Sequence, residues 1–109
     1  ILPGLRLMTQ ALHDYTAQLP RIEISAPCPW PATSTETAIA TGVLHAVEGG
    51  IEAIWRQAVA AHPDARLFLT GGDAALLHRT LVAPATVWPE MTLEGIRLTA
   101  LKDVSDDNR

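Results

Sequence analysis

The chain has 109 residues, a mass of 11.7 kDa and a formal net charge of −4, from 8 Lys+Arg against 12 Asp+Glu; it is 48% hydrophobic and 18% charged. That is one small domain, or half of a larger one, with apolar content sufficient for a buried core rather than a disordered tail. No basic stripe invites nucleic acid or an anionic membrane surface, and no apolar run nears the about 20 residues that cross a bilayer.

A single cysteine, Cys28, rules out an internal disulfide framework and fits a reducing compartment. No signal peptide is visible. The opening Ile1-Leu2-Pro3-Gly4 has no initiator Met and no lead-in. We read it as a fragment, or as one chain of a cleaved protein, with catalytic residues expected upstream.

After Pro3-Gly4, the positions Leu5, Leu7, Met8, Ala11, Leu12 and Tyr15 recur at three and four residues. This spacing predicts an amphipathic helix from about residue 4 to about residue 18, with Arg6, Gln10, Asp14 and Gln18 on its wet face and Pro20 as its stop. Ile22-Glu23-Ile24 alternates as a short strand would. The prolines of Ala26-Pro27-Cys28-Pro29-Trp30-Pro31 forbid helix and hamper sheet, so an extended loop is expected there, with Trp30 packed on a partner.

The longest helix opens at Ser34-Thr35-Glu36-Thr37, with Ser34 as an N-cap and Thr37 at N3. Its apolar face is Ile39, Val43, Ala46, Val47, Ile51, Ile54, Trp55 and Ala58, and His62-Pro63-Asp64 ends it after about residue 61. Gly42, Gly49 and Gly50 each cost about 1 kcal/mol against alanine inside a helix. Gly42 and Gly49 share one face. Close approach by another backbone, such as a helix or a second subunit, is one explanation; a kink at Gly49-Gly50 is the other.

Ala65 to Thr70 reads as a strand ending at Gly71-Gly72-Asp73, followed by a helix over Ala74 to Leu81. Ala83-Pro84-Ala85 is a loop and Thr86-Val87-Trp88 a short strand. A last helix carries Met91, Leu93, Ile96, Leu98 and Leu101. Residues 105–109 are polar and expected to fray, leaving 1–104 as one α/β subdomain. The order of elements predicts a small sheet covered by helices.

Two places look chemical. At Leu69-Thr70-Gly71-Gly72-Asp73 an apolar strand runs into two glycines and a helix, which lets a ligand come close to the backbone at a strand's carboxyl end. A tight turn capped by Asp73 uses the same residues. It is neither a Walker A loop nor a G-x-G-x-x-G turn. At Ser34-Thr35-Glu36, two hydroxyls and a carboxylate can hold a substrate hydroxyl or carboxylate, or simply cap the helix. His13, His45, His62 and His78 never fall at metal-ligand spacing, so no metal site is expected within the chain. Cys28 has no sequence-near base, and Trp30, Trp55 and Trp88 are too scattered to form a stacking platform.

Four stretches together resemble one family. Ile1-x-Pro3-Gly4, with Leu5 to Met8 and Ala11-Leu12, resembles the end of the G-G-x-I-x-P-G segment of the type III pantothenate kinases, the family that includes the Bvg accessory factor proteins. Thr35-Glu36-x-Ala38-Ile39-x-x-Gly42 is similar to its N-T-x-x-A-I-x-x-G segment. Leu69 to Ala74 resembles its T-G-G-D-A turn, and Leu93-x-Gly95-Ile96 its L-x-G-L close. The matches occur in the family's order.

The resemblance implies the C-terminal half of an acetate and sugar kinase/Hsp70/actin-like, ribonuclease H-like fold. It implies a cytoplasmic enzyme that phosphorylates pantothenate with ATP, the first step of coenzyme A synthesis, as a homodimer with Mg2+ and a monovalent cation, K+ or NH4+. The family's D-x-G-N-T and G-T-A-x-T segments and its general-base aspartate are absent from this chain, so no catalytic residue is expected in it and the fragment alone should not turn over. Thr35 would contact pantothenate bound in the partner subunit. Ser34 would lie beside it where the family has Asn, which would weaken a hydrogen bond. Gly71 and Gly72 would line the adenosine side of the cleft, and the long helix 35–61 would form the dimer. A non-enzymatic regulatory protein on the same scaffold is the rival expectation.

Overall fold

The computed structural model describes residues 1–106. Four helices and two strands follow in the order α1 (Leu5–Asp14), α2 (Thr35–Ala61), β1 (Leu67–Leu69), α3 (Ala74–Thr80), β2 (Ala85–Val87) and α4 (Met91–Asp106). Of the polar end expected to fray, 105–109, Ser105 and Asp106 close helix α4, and 107–109 lie outside the described residues.

Helix α1 stops a turn before the expected end. The imidazole of His13 and the Leu19 carbonyl are 2.8 Å apart, within hydrogen-bond distance, as the chain folds back. The reversal returns Leu19, Ile22 and Ile24 to the core. A helix prolonged to Gln18 would carry them away from it. Leu7 and Tyr15, expected on the apolar face, are exposed, whereas Thr9 is buried and donates its hydroxyl to the Arg6 carbonyl at 3.1 Å.

The strand expected at Ile22-Glu23-Ile24 is not formed. The alternation is real, since both isoleucines are half-buried against the core and Glu23 is exposed, but the segment joins no ladder among the described residues. Period two reports a buried face; pairing needs a second strand. Trp30, expected to pack, is 81% exposed in the proline loop, where the Trp30–Pro31 bond is cis.

Helix α2 is the spine. Its 27 residues, roughly 40 Å at 1.5 Å each, outrun the 10 residues of α1. The cover is therefore local. Ile39, Val43, Leu44 and Val47 are buried with Leu5 of α1 and Leu76 of α3, while Ile54 further along is exposed. Leu44, off the expected face, is buried in the same cluster. The helix runs unbroken through Gly49 and Gly50. Near Gly50 the approach is by a side chain: a Cβ there would meet the Leu2 methyls at 2.9 Å. Beyond the helix's own backbone and the adjoining residues, no described atom lies within 4 Å of a Cβ built at Gly42 or Gly49.

Strands β1 and β2 pair in parallel, Leu67 with Ala85, Phe68 with Thr86 and Leu69 with Val87, and α3 crosses between them. The Trp88 amide extends the ladder by donating to the Leu69 carbonyl at 2.8 Å, and its ring meets Phe68 edge-on at 5.7 Å. The loop before β2 is tied to α2, since the Ala83 N–H donates to the Glu52 carboxylate at 2.7 Å.

Candidate functional site

The start of α2 is a reciprocal cap. Ser34 Oγ accepts from the Thr37 N–H at 3.1 Å, and Thr37 Oγ1 accepts from the Ser34 N–H at 3.0 Å and the Thr33 N–H at 3.2 Å. Each side chain thus satisfies donors that a helix start leaves unpaired. Ser34 is committed to this work. Thr35, at the first helical position, is exposed, and its hydroxyl has no hydrogen-bond partner among the described residues. One residue builds the turn and its neighbour is left facing outward.

The glycine turn follows β1. Gly71 has φ +90°, a conformation that side-chain-bearing residues rarely adopt, and its carbonyl accepts from the Ala74 N–H at 3.2 Å. Gly72 has no such constraint, and a Cβ on it would meet nothing within 4 Å. Asp73 occupies the N-cap position of α3 but makes no side-chain cap bond. The simple cap expected of Asp73 is therefore not what this turn contains; its carboxylate is exposed.

Gly72 and Asp73 line a cavity of about 810 Å³ between α1, the extended segment 21–25 and the start of α3. Thr35 lies outside that cavity, so the two candidate sites are not brought together within this chain. The cavity also takes in Arg6, Arg21 and Arg79. Sequence spacing assigns Arg6 only to a wet helix face and singles out neither of the others, because their convergence depends on tertiary folding.

Among the described residues no group of three His, Cys, Asp or Glu side chains is placed to hold a metal. His45 Nδ1 is 2.8 Å from the Thr41 carbonyl one turn back, and the Cys28 thiol is 3.7 Å from the Ala26 carbonyl. Two buried oxygens of α2, Thr41 Oγ1 and Glu48 Oε1, have no partner among the described residues. At seven residues apart they are two turns distant and do not form one site. The one ion pair among the described residues is Arg97 to Glu94, at 2.6 Å. The guanidinium holds the Glu94 carboxyl below the usual glutamate range, and Arg97 is raised in turn. No helix among the described residues is long and apolar enough to cross a membrane.

The described residues form a small α/β unit with a glycine turn at a strand end and an exposed threonine at a capped helix start. The family model described as type III pantothenate kinase matches residues 1–57. The chain is 41% identical over 105 residues to a type III pantothenate kinase of Synechococcus sp. (strain JA-3-3Ab), covering 88% of this chain and 42% of the relative. It is 34% identical over 108 residues to one from Synechococcus elongatus, covering 97% and 44%. It is 42% identical over 100 residues to one from Alkalilimnicola ehrlichii, covering 88% and 39%. The chain belongs to the type III pantothenate kinase family. It spans about two-fifths of the length of these curated relatives.

Proposed function

We propose that this chain is the C-terminal portion of a cytoplasmic ATP-dependent kinase that phosphorylates pantothenate to 4'-phosphopantothenate, the first step of coenzyme A synthesis. The observation that carries the reading is the family match over residues 1–57, which spans the Pro3-Gly4 and Thr35-to-Gly42 segments. The unit is proposed to form the C-terminal half of an actin-like, ribonuclease H-like fold.

Phosphoryl transfer depends on positioning and charge neutralisation more than on covalent help from the protein. This chain's part is positioning. Thr35 offers its unpartnered hydroxyl to pantothenate in the partner subunit, and Ser34 fixes the helix start that aims it. Gly71 and Gly72 keep the adenosine side of the nucleotide cleft free of side chains. The general base is supplied from outside the chain. ATP brings Mg2+, which neutralises phosphate charge, and the enzyme uses K+ or NH4+. Among the described residues no group of three His, Cys, Asp or Glu side chains is placed to hold a divalent metal.

The dimer is proposed to form along α2. In support, Ala38, Gly42, Ala46 and Gly49 are exposed on one face, and among the described residues nothing lies within 4 Å of a Cβ built at either glycine beyond the helix's own backbone and the adjoining residues. Small residues let a partner helix come close. The test is ATP-dependent formation of 4'-phosphopantothenate, followed by mass spectrometry, with the complete kinase and with the 109-residue chain alone. The complete protein should form product and the chain alone none. Product from the chain alone would overturn the division of labour; no product from the complete protein would overturn the kinase reading.

A further inference from the structure

We propose that a second cavity, at the amino ends of β1 and β2, binds a small carboxylate with an apolar body, held by Arg66 and His78. This rests on the cavity itself and not on the kinase reading. The cavity has a volume of about 590 Å³, in the range of small-molecule sites. It lies between Trp55 of α2, the start of β1 at Leu67, His78 of α3 and the loop that leads into β2. Both strands run away from it in parallel. It therefore stands at the opposite end of the sheet from the glycine turn that follows Leu69.

Its charge is one-sided. Among the described residues, Arg66 and His78 are the only ionisable side chains that line it, and no carboxylate does, in a chain whose net charge is −4. Arg66 is exposed and makes no ion pair among the described residues, where the one such pair is Glu94–Arg97. The Glu52 carboxylate, three residues from Trp55, does not line the cavity. It accepts from the Ala83 N–H at 2.7 Å, a bond that ties the loop wall to α2 and so fixes the cavity's shape in advance.

The rest of the wall is apolar, with Leu67, Leu81 and Val82 beside the Trp55 ring. Val82 is 92% exposed, a branched apolar side chain left in water at the cavity's edge. A ligand with an apolar body would cover it. The polar side sets the ligand's charge. One permanent cation and one imidazole, which donates an N–H even when neutral, match a single carboxylate better than a phosphate dianion. The planar guanidinium fork takes both carboxylate oxygens at once.

The test is an NMR titration of the complete, isotope-labelled protein with hexanoate and with 1-hexanol, followed on the backbone amides of Leu67, Val82 and Thr86. Hexanoate should shift these amides, and hexanol, which keeps the apolar body without the charge, should bind about tenfold more weakly or less. Arg66→Ala should raise the hexanoate Kd about tenfold, and Arg66→Lys, which keeps charge without the fork, should recover part of the loss. Val82→Asp places a carboxylate at the exposed edge and should abolish binding. Arg56→Ala, on α2 outside the cavity, should change nothing. Pantothenate is itself a carboxylate with an apolar body. Displacement of hexanoate from these amides by pantothenate supports the site with pantothenate as its ligand, and failure to displace supports it with a separate carboxylate. Absence of shifts at these amides, equal binding of hexanol, or an Arg66→Ala loss no greater than that of Arg56→Ala overturns the proposal. Circular dichroism confirms that each variant is folded, and the comparison of hexanoate with hexanol decides on the unmutated protein alone.

Discussion

Ser34 and Thr35 are adjacent hydroxyl residues whose oxygens do different work. Ser34 Oγ accepts from the Thr37 amide in the cap, whereas Thr35 is exposed and unpartnered among the described residues. Ser34→Ala should cost about 1 kcal/mol of stability, read as a lower Tm. The glycine turn divides similarly. Gly71→Ala forces a side chain into φ +90° and should destabilise by about 1 kcal/mol, whereas Gly72→Ala should leave Tm unchanged and weaken nucleotide binding. Thermal melts with ADP titrations separate the two. The Glu94–Arg97 pair gives a pH prediction. Because the Glu94 carboxyl is lowered, its stabilising contribution is present above the usual glutamate range and is lost as pH falls through the lowered value. Arg97→Ala should return Glu94 to its ordinary range in a carboxyl NMR titration.

At the scale of elements, the sequence was legible where a local device carries the signal. The Ser34–Thr37 cap and the His62-Pro63 stop bound α2 as expected, and the glycine turn separates β1 from α3. It was less legible where tertiary contact decides. Ile22 and Ile24 show a strand's alternation but find no neighbouring strand, and Trp30 finds no packing partner. Leu44 is buried in the same cluster, although spacing on α2 alone does not place it on the apolar face. Likewise a local motif is enough to single out Thr35 as a candidate, whereas the cavity lined by Arg6 and Arg79 assembles residues 73 positions apart. The exposed glycine face of α2 yields a prediction. A Cβ at Gly49 meets no described atom within 4 Å beyond its own helix backbone, so Gly49→Leu should keep the helix, but it should shift the complete kinase from dimer to monomer in analytical ultracentrifugation. An unchanged dimer would move the interface elsewhere.

At the scale of the whole molecule, the chain is elongated, with extents of 63 × 32 × 20 Å and a radius of gyration of 18.0 Å. A compact domain of this length has a radius of about 13 Å. The difference has visible sources. Among the described residues helix α4 lies along no other element extensively, and Leu93, Ile96 and Leu98 are each more than half exposed. Apolar residues around an uncovered helix are the mark of a surface built to be covered. This fits the proposal that the unit works as part of a longer kinase chain and contributes position rather than the reacting groups. The measurement that tests this most directly is the steady-state kinetics of the complete kinase carrying Thr35→Ala, with Ser34→Ala beside it. The account predicts that Thr35→Ala lowers kcat/KM for pantothenate about tenfold at unchanged Tm, the loss expected for a hydrogen bond made to substrate. An unchanged kcat/KM would contradict it and leave Thr35 as no more than the first residue of a helix.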